Sequence, residues 1–324
     1  MDSLAGIPVL VTGGTGFIGS HLTRRLIREG AEVHVLTSAV SSIYPIRLYD
    51  VRDKLTLHGA NLNDASALKL LLAEIRPQVV FHLGAYTHVG KSWQRVDECI
   101  QTNIQGSMNL LQNLDYSRLH RFLYTSTSEV YGDVSVPFRE DGPVRPISPY
   151  AISKYAGELF CRAMQSGRDW PIVMIRPFNS YGPRQSPDRV IPEIILKALR
   201  KDRLLMTSGT QTREFNYVDD LATGFVRAAL VDGIEGEVLN LGGGEEIAMR
   251  DLATKILHMM GDPIEAEIGA LEGRPTEIWE MRSDSSKARD LLGLPPPTDL
   301  TSGLEQTIDW YRRDGEAAST AFVV

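Results

Sequence analysis

Two short stretches carry residue types that do proton chemistry at a fixed spacing. "TSTSEVYG" (125–132) sets hydroxyls, a carboxylate and a phenol at the end of the apolar run "RFLY". "SPYAISKYAGELF" places Tyr150 and Lys154 four residues apart on a helix opened by Ser148 and Pro149, so both side chains share one face. An ammonium beside a phenol favours phenolate and lowers its pKa, which permits proton exchange with an alcohol near neutral pH. Glu129, between Thr127 and Tyr131, stands at a strand end, where polar side chains serve either chemistry or turn formation.

A third stretch suits phosphate. The apolar run "VLVT" leads straight into "GGTGFIGSHLTRRLIREG", where Gly13, Gly16 and Gly19 fall three apart at the opening of a helix. Such a turn aims backbone amides and the positive helix end at an anion, and its glycines allow a diphosphate to approach closely. With a strand before it and a helix after it, the pattern points to dinucleotide binding. An acidic residue after the second strand would hold the adenosine ribose hydroxyls, but "VHVLTS" offers Thr37 and Ser38. A 2′-phosphate is therefore not repelled, and NAD and NADP both stay open. Arg47 is a candidate phosphate partner, and Asn61 in "GANLND" offers a carbonyl to an adenine amino group.

Elements in a particular order must position these residues. "IPVLVT", "AEVHVLT", "KLTLH", "PQVVFHL", "HRFLYTST" and "WPIVMIR" read as strands buried on both faces, with helical segments between them. One helix, "ASALKLLLAEI", has Asp64 as its cap and Pro77 as its stop. The β-α-β-α order implies a parallel, doubly wound α/β sheet whose ligand crevice lies beyond the carboxyl ends of the strands. The expected division is a dinucleotide domain over 1–177 and a smaller, interleaved α/β substrate domain over 178–324. A segment near 214–242, with "EVLNLGG", is expected to return to the main sheet, and "VIPEIILKALR", "MRDLATKILHMM" and "LTSGLEQTIDWYRR" read as helices. The tail "DGEAASTAFVV" carries few helix signals and is expected to fray.

Composition narrows the partners. The chain has 324 residues, 43% hydrophobic and 23% charged, enough for a sizeable core. A net charge of −7 disfavours nucleic acid or an anionic membrane as the main partner. An anionic ligand must then be met by local cations. Cys99 and Cys161 read as reduced and buried, the start lacks a basic segment and a long apolar run, no metal is expected, and the cytoplasm is the default location.

"TGGTGFIGSHL", "TSTSEVYG", "SPYAISK", "RPFNSYGPRQS" and "REFNYVDDLA" resemble, in this order and across nearly the whole chain, the extended short-chain dehydrogenases/reductases that act on nucleotide sugars. The resemblance implies a Rossmann-type domain, tightly held NAD or NADP, a nucleoside-diphosphate sugar as substrate, and a homodimer built on the helices "SWQRVDECIQTNIQGSMNLLQNL" (92–114) and "PYAISKYAGELFCRAMQ". It implies that Thr127 bonds the sugar O4, Tyr150 exchanges the proton there and Lys154 supports both, with Glu129 and Ser128 completing the catalytic set. Phe17, Ile18, Leu62, Leu83, Gly84, Ala85, Tyr150 and Lys154, the lysine holding the nicotinamide ribose, join the glycines, Thr37, Ser38 and Asn61 around the cofactor. Asn179, Arg213 and Arg274 match diphosphate contacts, and Thr87, His88 and Arg184 complete the substrate set.

Glu129 bears on the reaction. Members that only invert C4 carry small or neutral residues at this point, whereas Thr-Ser-Glu is similar to GDP-mannose 4,6-dehydratases and N-acetylglucosamine nucleotide dehydratases; dTDP-glucose dehydratases have Thr-Asp-Glu. A ketone at C4 acidifies C5, and a carboxylate there can remove that proton so that water is lost across C5 and C6. A 4,6-dehydratase is therefore expected first and a C4-epimerase second. A 4-keto-6-deoxysugar reductase, a UDP-glucuronate decarboxylase and a non-catalytic dinucleotide sensor stay open beside them.

Overall fold

The computed structural model describes residues 1–38, 46–273 and 277–321, with side chains to 315. The six apolar runs form β1 (Pro8–Thr12), β2 (Glu32–Thr37), β3 (Thr56–Gly59), β4 (Val79–His82), β5 (Arg121–Thr125) and β6 (Ile172–Pro177). Four short strands follow, β7 (Ser180–Tyr181), β8 (Leu204–Met206), β9 (Thr212–Glu214) and β10 (Asn216–Tyr217), then β11 (Val238–Leu241), β12 (Glu246–Ala248) and β13 (Ala266–Ile268). The main sheet has seven strands in the order β11-β6-β5-β4-β1-β2-β3. Every pairing in it is parallel. "EVLNLGG" does return to this sheet, with Leu239 opposite Ile175.

The helices are α1 (Phe17–Arg28), α2 (Ala65–Ile75), α3 (Val96–Cys99), α4 (Ser107–Asn113), α5 (Pro149–Arg168), α6 (Val190–Arg200), α7 (Val218–Leu230), α8 (Met249–Met259), α9 (Ser286–Leu292) and α10 (Leu300–Ala321). Strands hydrophobic on both sides need cover on both sides. One face packs on α1, α7 and α9 through Leu22, Leu26, Leu221, Phe225 and Leu292, the other on α2, α4 and α5 through Leu68, Leu72, Leu110, Leu111 and Cys161. A separate cluster, with Ile194 and Ile195 of α6, Leu252 and Ile256 of α8, and Leu304 and Ile308 of α10, forms the core of the C-terminal part. Asp64 caps α2 as expected, its Oδ1 accepting from the amides of Ser66 and Ala67 at 3.1 and 2.9 Å.

Two expectations need correction. The segment 92–114 is not one uninterrupted helix: residues Ile100–Gly106 between α3 and α4 run as a π-helix. The widened turn carries Asn103, which is wholly buried and bonded to the loop after β4, so a tertiary hydrogen bond overrides the regular repeat there. The tail also does not fray where expected, because α10 continues to Ala321. Glu and Ala residues in that stretch propagate a helix once the packed turns before it have nucleated it. No helix among the described residues is long and apolar enough to cross a membrane.

Candidate active site

The strand order turns between β1 and β4, and the glycine turn lies at that point. Gly13 has φ +70°, and a Cβ there would lie 2.7 Å from the Gly84 amide nitrogen. A Cβ on Gly19 would lie 2.1 Å from the Gly13 carbonyl, so side chains at either place would force the turn apart. Gly16 caps α1 in extended backbone, and the first turn, with Phe17 and Ile18, has neither a side-chain cap nor an acidic residue. Amides opening onto a sheet edge, without a carboxylate, fit a diphosphate, and these residues therefore suit the dinucleotide.

A buried chain of hydrogen bonds fixes the opposite wall. The Gly84 amide donates to Thr12 Oγ1 (3.0 Å), Thr12 meets His82 Nδ1 (2.7 Å), and His82 Nε2 meets Ser107 Oγ (2.8 Å), which donates to the Asn103 carbonyl (2.7 Å). Because Ser107 spends its proton on Asn103, His82 is the Nε2–H tautomer and accepts at Nδ1 from Thr12. Burial pushes the His82 pKa down to about 3, and Lys154 adds to the fall, so the ring is neutral. Leu83, Gly84 and Ala85 are held beside the glycine turn by this chain. Thr37 is buried at the end of β2 and Ser38 is exposed, while Leu62 packs against the Gly84 and Gly106 backbones. Asn61 Oδ1 accepts from the Asn63 amide at 2.9 Å, which leaves one lone pair of this carbonyl. Arg47 is likewise committed, donating to the Arg184 carbonyl (2.9 Å) and Ser186 Oγ (2.8 Å).

The proton-transfer residues meet where β5 ends. Ser148 caps α5 through its bond to the Ala151 amide (3.1 Å), with Pro149 in the first turn. Tyr150 and Lys154 then face inward, 8% and 2% exposed. The Tyr150 phenol shares a hydrogen bond with Thr127. Thr127 Oγ1 also accepts from the Glu129 amide at 3.3 Å. The Glu129 carboxylate lies close enough to act on the phenol, raising its pKa.

The expectation that Lys154 lowers the Tyr150 pKa is corrected by the burial of the phenol. Burial drives it up to about 12; the Thr127 bond and Arg189 pull against this, and Glu129 adds to it. Lys154 itself is pushed down by burial to about 8, and its Nζ lies 4.6 Å from the centre of the Tyr124 ring.

The remaining residues divide into two groups. Asn179 and Ser128 both turn toward the buried Met281 sulfur, at 3.3 and 3.6 Å. His88 accepts from the Lys91 amide at 3.3 Å, and Thr87 is exposed. The two arginines that the structure describes are already engaged by acids: Arg213 with Glu277, both 16% exposed, and Arg184 with Asp50 at 3.5 Å, beside the Trp310 ring. Arg274 lies outside the described residues. Sequence reasoning missed His82, Asn103, Glu158, Arg176 and Arg189. Each acts through a partner distant in sequence, and only Glu158, one turn after Lys154, had a local signal.

A sequence profile described as the NAD dependent epimerase/dehydratase family matches residues 9–242. The chain is 31% identical over 318 residues to a dTDP-D-glucose 4,6-dehydratase of Bos taurus, covering 94% of this chain and 89% of that one. It is 34% identical over 315 residues to a UDP-glucose 4-epimerase of Mycolicibacterium smegmatis, covering 95% and 99%. The solved structure of a dTDP-glucose 4,6-dehydratase from Streptomyces venezuelae, with NAD bound, superposes with a TM-score of 0.87 at 30% identity, covering 97% and 99%. With its Rossmann-type sheet, its glycine turn and matches over most of its length, the chain is an NAD-dependent enzyme of the epimerase/dehydratase family.

Proposed function

We propose that the chain converts a nucleoside-diphosphate hexose through a 4-keto intermediate to a dehydrated product, as a 4,6-dehydratase. The observation that carries this reading is the Glu129 carboxylate within electrostatic reach of Tyr150, at the end of the strand that holds Thr127. On this reading Tyr150 acts as the phenolate, the form that a neighbouring ammonium favours, and takes the proton of the C4 hydroxyl to become the phenol, while Thr127 bonds the same oxygen. Lys154 keeps a positive charge in a water-poor site, where it stabilises the phenolate that takes up this proton. The dinucleotide, when bound along the glycine turn, supplies the acceptor for the C4 hydrogen and returns it at the end of the cycle. Glu129 removes the C5 proton made acidic by the ketone, and water leaves across C5 and C6. Residues 178–324 supply the substrate side, with Asn179 and Arg213 toward the diphosphate; Arg213 exchanges Glu277 for it.

One observation favours a C4-epimerase instead. Ser128 stands where a second acid would protonate the departing C6 hydroxyl, and its hydroxyl is turned to Met281. Incubation with UDP-, GDP-, CDP- and dTDP-glucose, without added reductant, separates the two. A product lighter by one water supports the dehydratase, and an isomer of unchanged mass supports the epimerase.

The assembly proposed with this function is a homodimer. Ile152, Leu159 and Phe160 lie along one exposed side of α5, and Trp93, Val96 and Ile100 are exposed on the neighbouring helical segment. Pairing these surfaces in two copies gives a four-helix contact. A monomer mass by light scattering at micromolar concentration contradicts it. Free, buried Cys99 and Cys161 support the cytoplasm as the location.

A further inference from the structure

A wholly buried carboxylate sits one helical turn beyond Lys154, on the same face of α5, and the proton chemistry proposed above does not use it. Glu158 and Arg176 are each 0% exposed. Arg176 of β6 donates to both carboxylate oxygens, Nε to Oε2 at 3.0 Å and Nη2 to Oε1 at 2.7 Å. Ser126, the residue before Thr127, donates to Oε2 at 2.9 Å, and Arg162 donates to Oε1 at 3.1 Å from the surface side. Glu158 thus ties together the end of β5, the strand β6 and the helix that carries Tyr150 and Lys154. Arg176 is secured in turn by stacking 4.8 Å from the Tyr131 ring, whose hydroxyl donates to Asn240 at 2.7 Å.

Burying two charges is unfavourable unless they are well paired, and a pure packing role is filled as well by hydrophobic side chains. The geometry offers a reason for an ionic pair here. We propose that Glu158 is a positioning residue for the Tyr150–Lys154 centre, fixing the strand end that presents Thr127 and supplying the buried negative charge that holds Lys154 as an ammonium. This rests on the reading of Lys154 as a cation in the reaction.

The groups facing Lys154 bear this out. From α5 come Tyr150, Glu158 and Cys161; from β4 comes His82; from β5 comes Tyr124; and Arg176 of β6 approaches through Glu158. Burial pushes the Lys154 pKa down, opposed by Cys161 and Glu158. Burial also pushes the Cys161 thiol and the Tyr124 phenol far up, so both are neutral where Lys154 titrates, and His82 is neutral as well. Among these neighbours Glu158 is the negative charge. Arg176 works in the opposite sense, because its guanidinium offsets part of the carboxylate's field.

Removing the two partners is therefore expected to shift Lys154 in opposite directions, which a passive structural joint has no reason to do. The test is the titration of the Lys154 side chain followed by NMR of 13C-labelled lysine in the full-length protein, assigned with Lys154→Met. Glu158→Gln is expected to lower the Lys154 midpoint by about one pH unit, a tenfold change in its proton affinity, and Glu158→Asp to recover most of it. Arg176→Met leaves the carboxylate opposed only by the exposed Arg162 and is expected to raise the midpoint. Should Glu158→Gln fail to fold, Arg176→Met carries the same test with the reverse sign. An unchanged midpoint in a folded Glu158→Gln, or a fall in Arg176→Met, overturns the proposal. The measurement needs no substrate, so a separate result, full turnover by Lys154→Met, would sink the catalytic reading while leaving the electrostatic one standing.

Discussion

The cofactor side and the substrate side of this crevice are built by different means. On the cofactor side, backbone meets backbone: Gly13 lies against Gly84, Gly19 lies against Gly13, and the Thr12–His82–Ser107–Asn103 chain locks the facing loop without a charged group. On the side proposed for the substrate, charged side chains meet their opposites: Arg213 pairs with Glu277, and Arg184 shares Asp50 with Arg24. A wall of the first kind resists any added atom, whereas contacts of the second kind can be exchanged for those of an anionic ligand. On the proposed reading, the same acidic chain keeps a rigid dinucleotide cradle and meets a diphosphate with arginines whose own carboxylate partners give way.

Breaking the rigid side should have the larger effects. Gly19→Ala places a Cβ 2.1 Å from the Gly13 carbonyl, and NAD binding by calorimetry should be lost. Retained affinity would mean that the turn is not the cradle. Tyr150→Phe leaves the cradle intact and should bind NAD normally, yet lower kcat by on the order of 10²–10⁴-fold, as removal of a proton-transfer group does.

Lys154 offers a stability test between the two sides. Burial lowers its folded-state pKa from 10.5 to about 8, so between those values the folded chain binds fewer protons than the unfolded one, and stability rises with pH across that window. Below about pH 8 the full burden is present. Lys154→Met should therefore stabilise the apo protein at pH 7, by up to ~3 kcal/mol, and the gain should shrink as pH rises toward 10.5, checked by urea unfolding. A gain independent of pH would point to packing instead. The smallest effect belongs to the exchangeable side: Glu277→Gln frees Arg213 and should tighten UDP binding about fivefold, ~1 kcal/mol, in a titration at low salt. Weaker binding would mean that Glu277 itself supports the ligand.

The sequence made the rigid side legible because its constraints are local. Three glycines between a strand and a helix, a Ser-Pro helix start, and a tyrosine and lysine four apart each sit within one element, and the structure places them as their spacing implies. What escaped depends on partners far along the chain. Arg47, Asn61 and Ser128 offer suitable donors and acceptors, and each also bonds a neighbour that spacing could not reveal. The π-turn at Asn103 follows from a bond to Tyr86, and no periodicity announces it. The pKa of Tyr150 went the other way from the simple pair argument because desolvation is a property of the assembled site.

The most direct test of the proposed reaction follows the C5 hydrogen. With the nucleotide sugar that turns over in deuterated solvent, the wild type should place deuterium at C5, and Glu129→Gln should still oxidise C4, visible as reduced cofactor in the near ultraviolet, while forming little dehydrated product. A wild type that leaves C5 unlabelled, together with a Glu129→Gln variant that turns over normally, would contradict the dehydratase account and leave the C4-epimerase in its place.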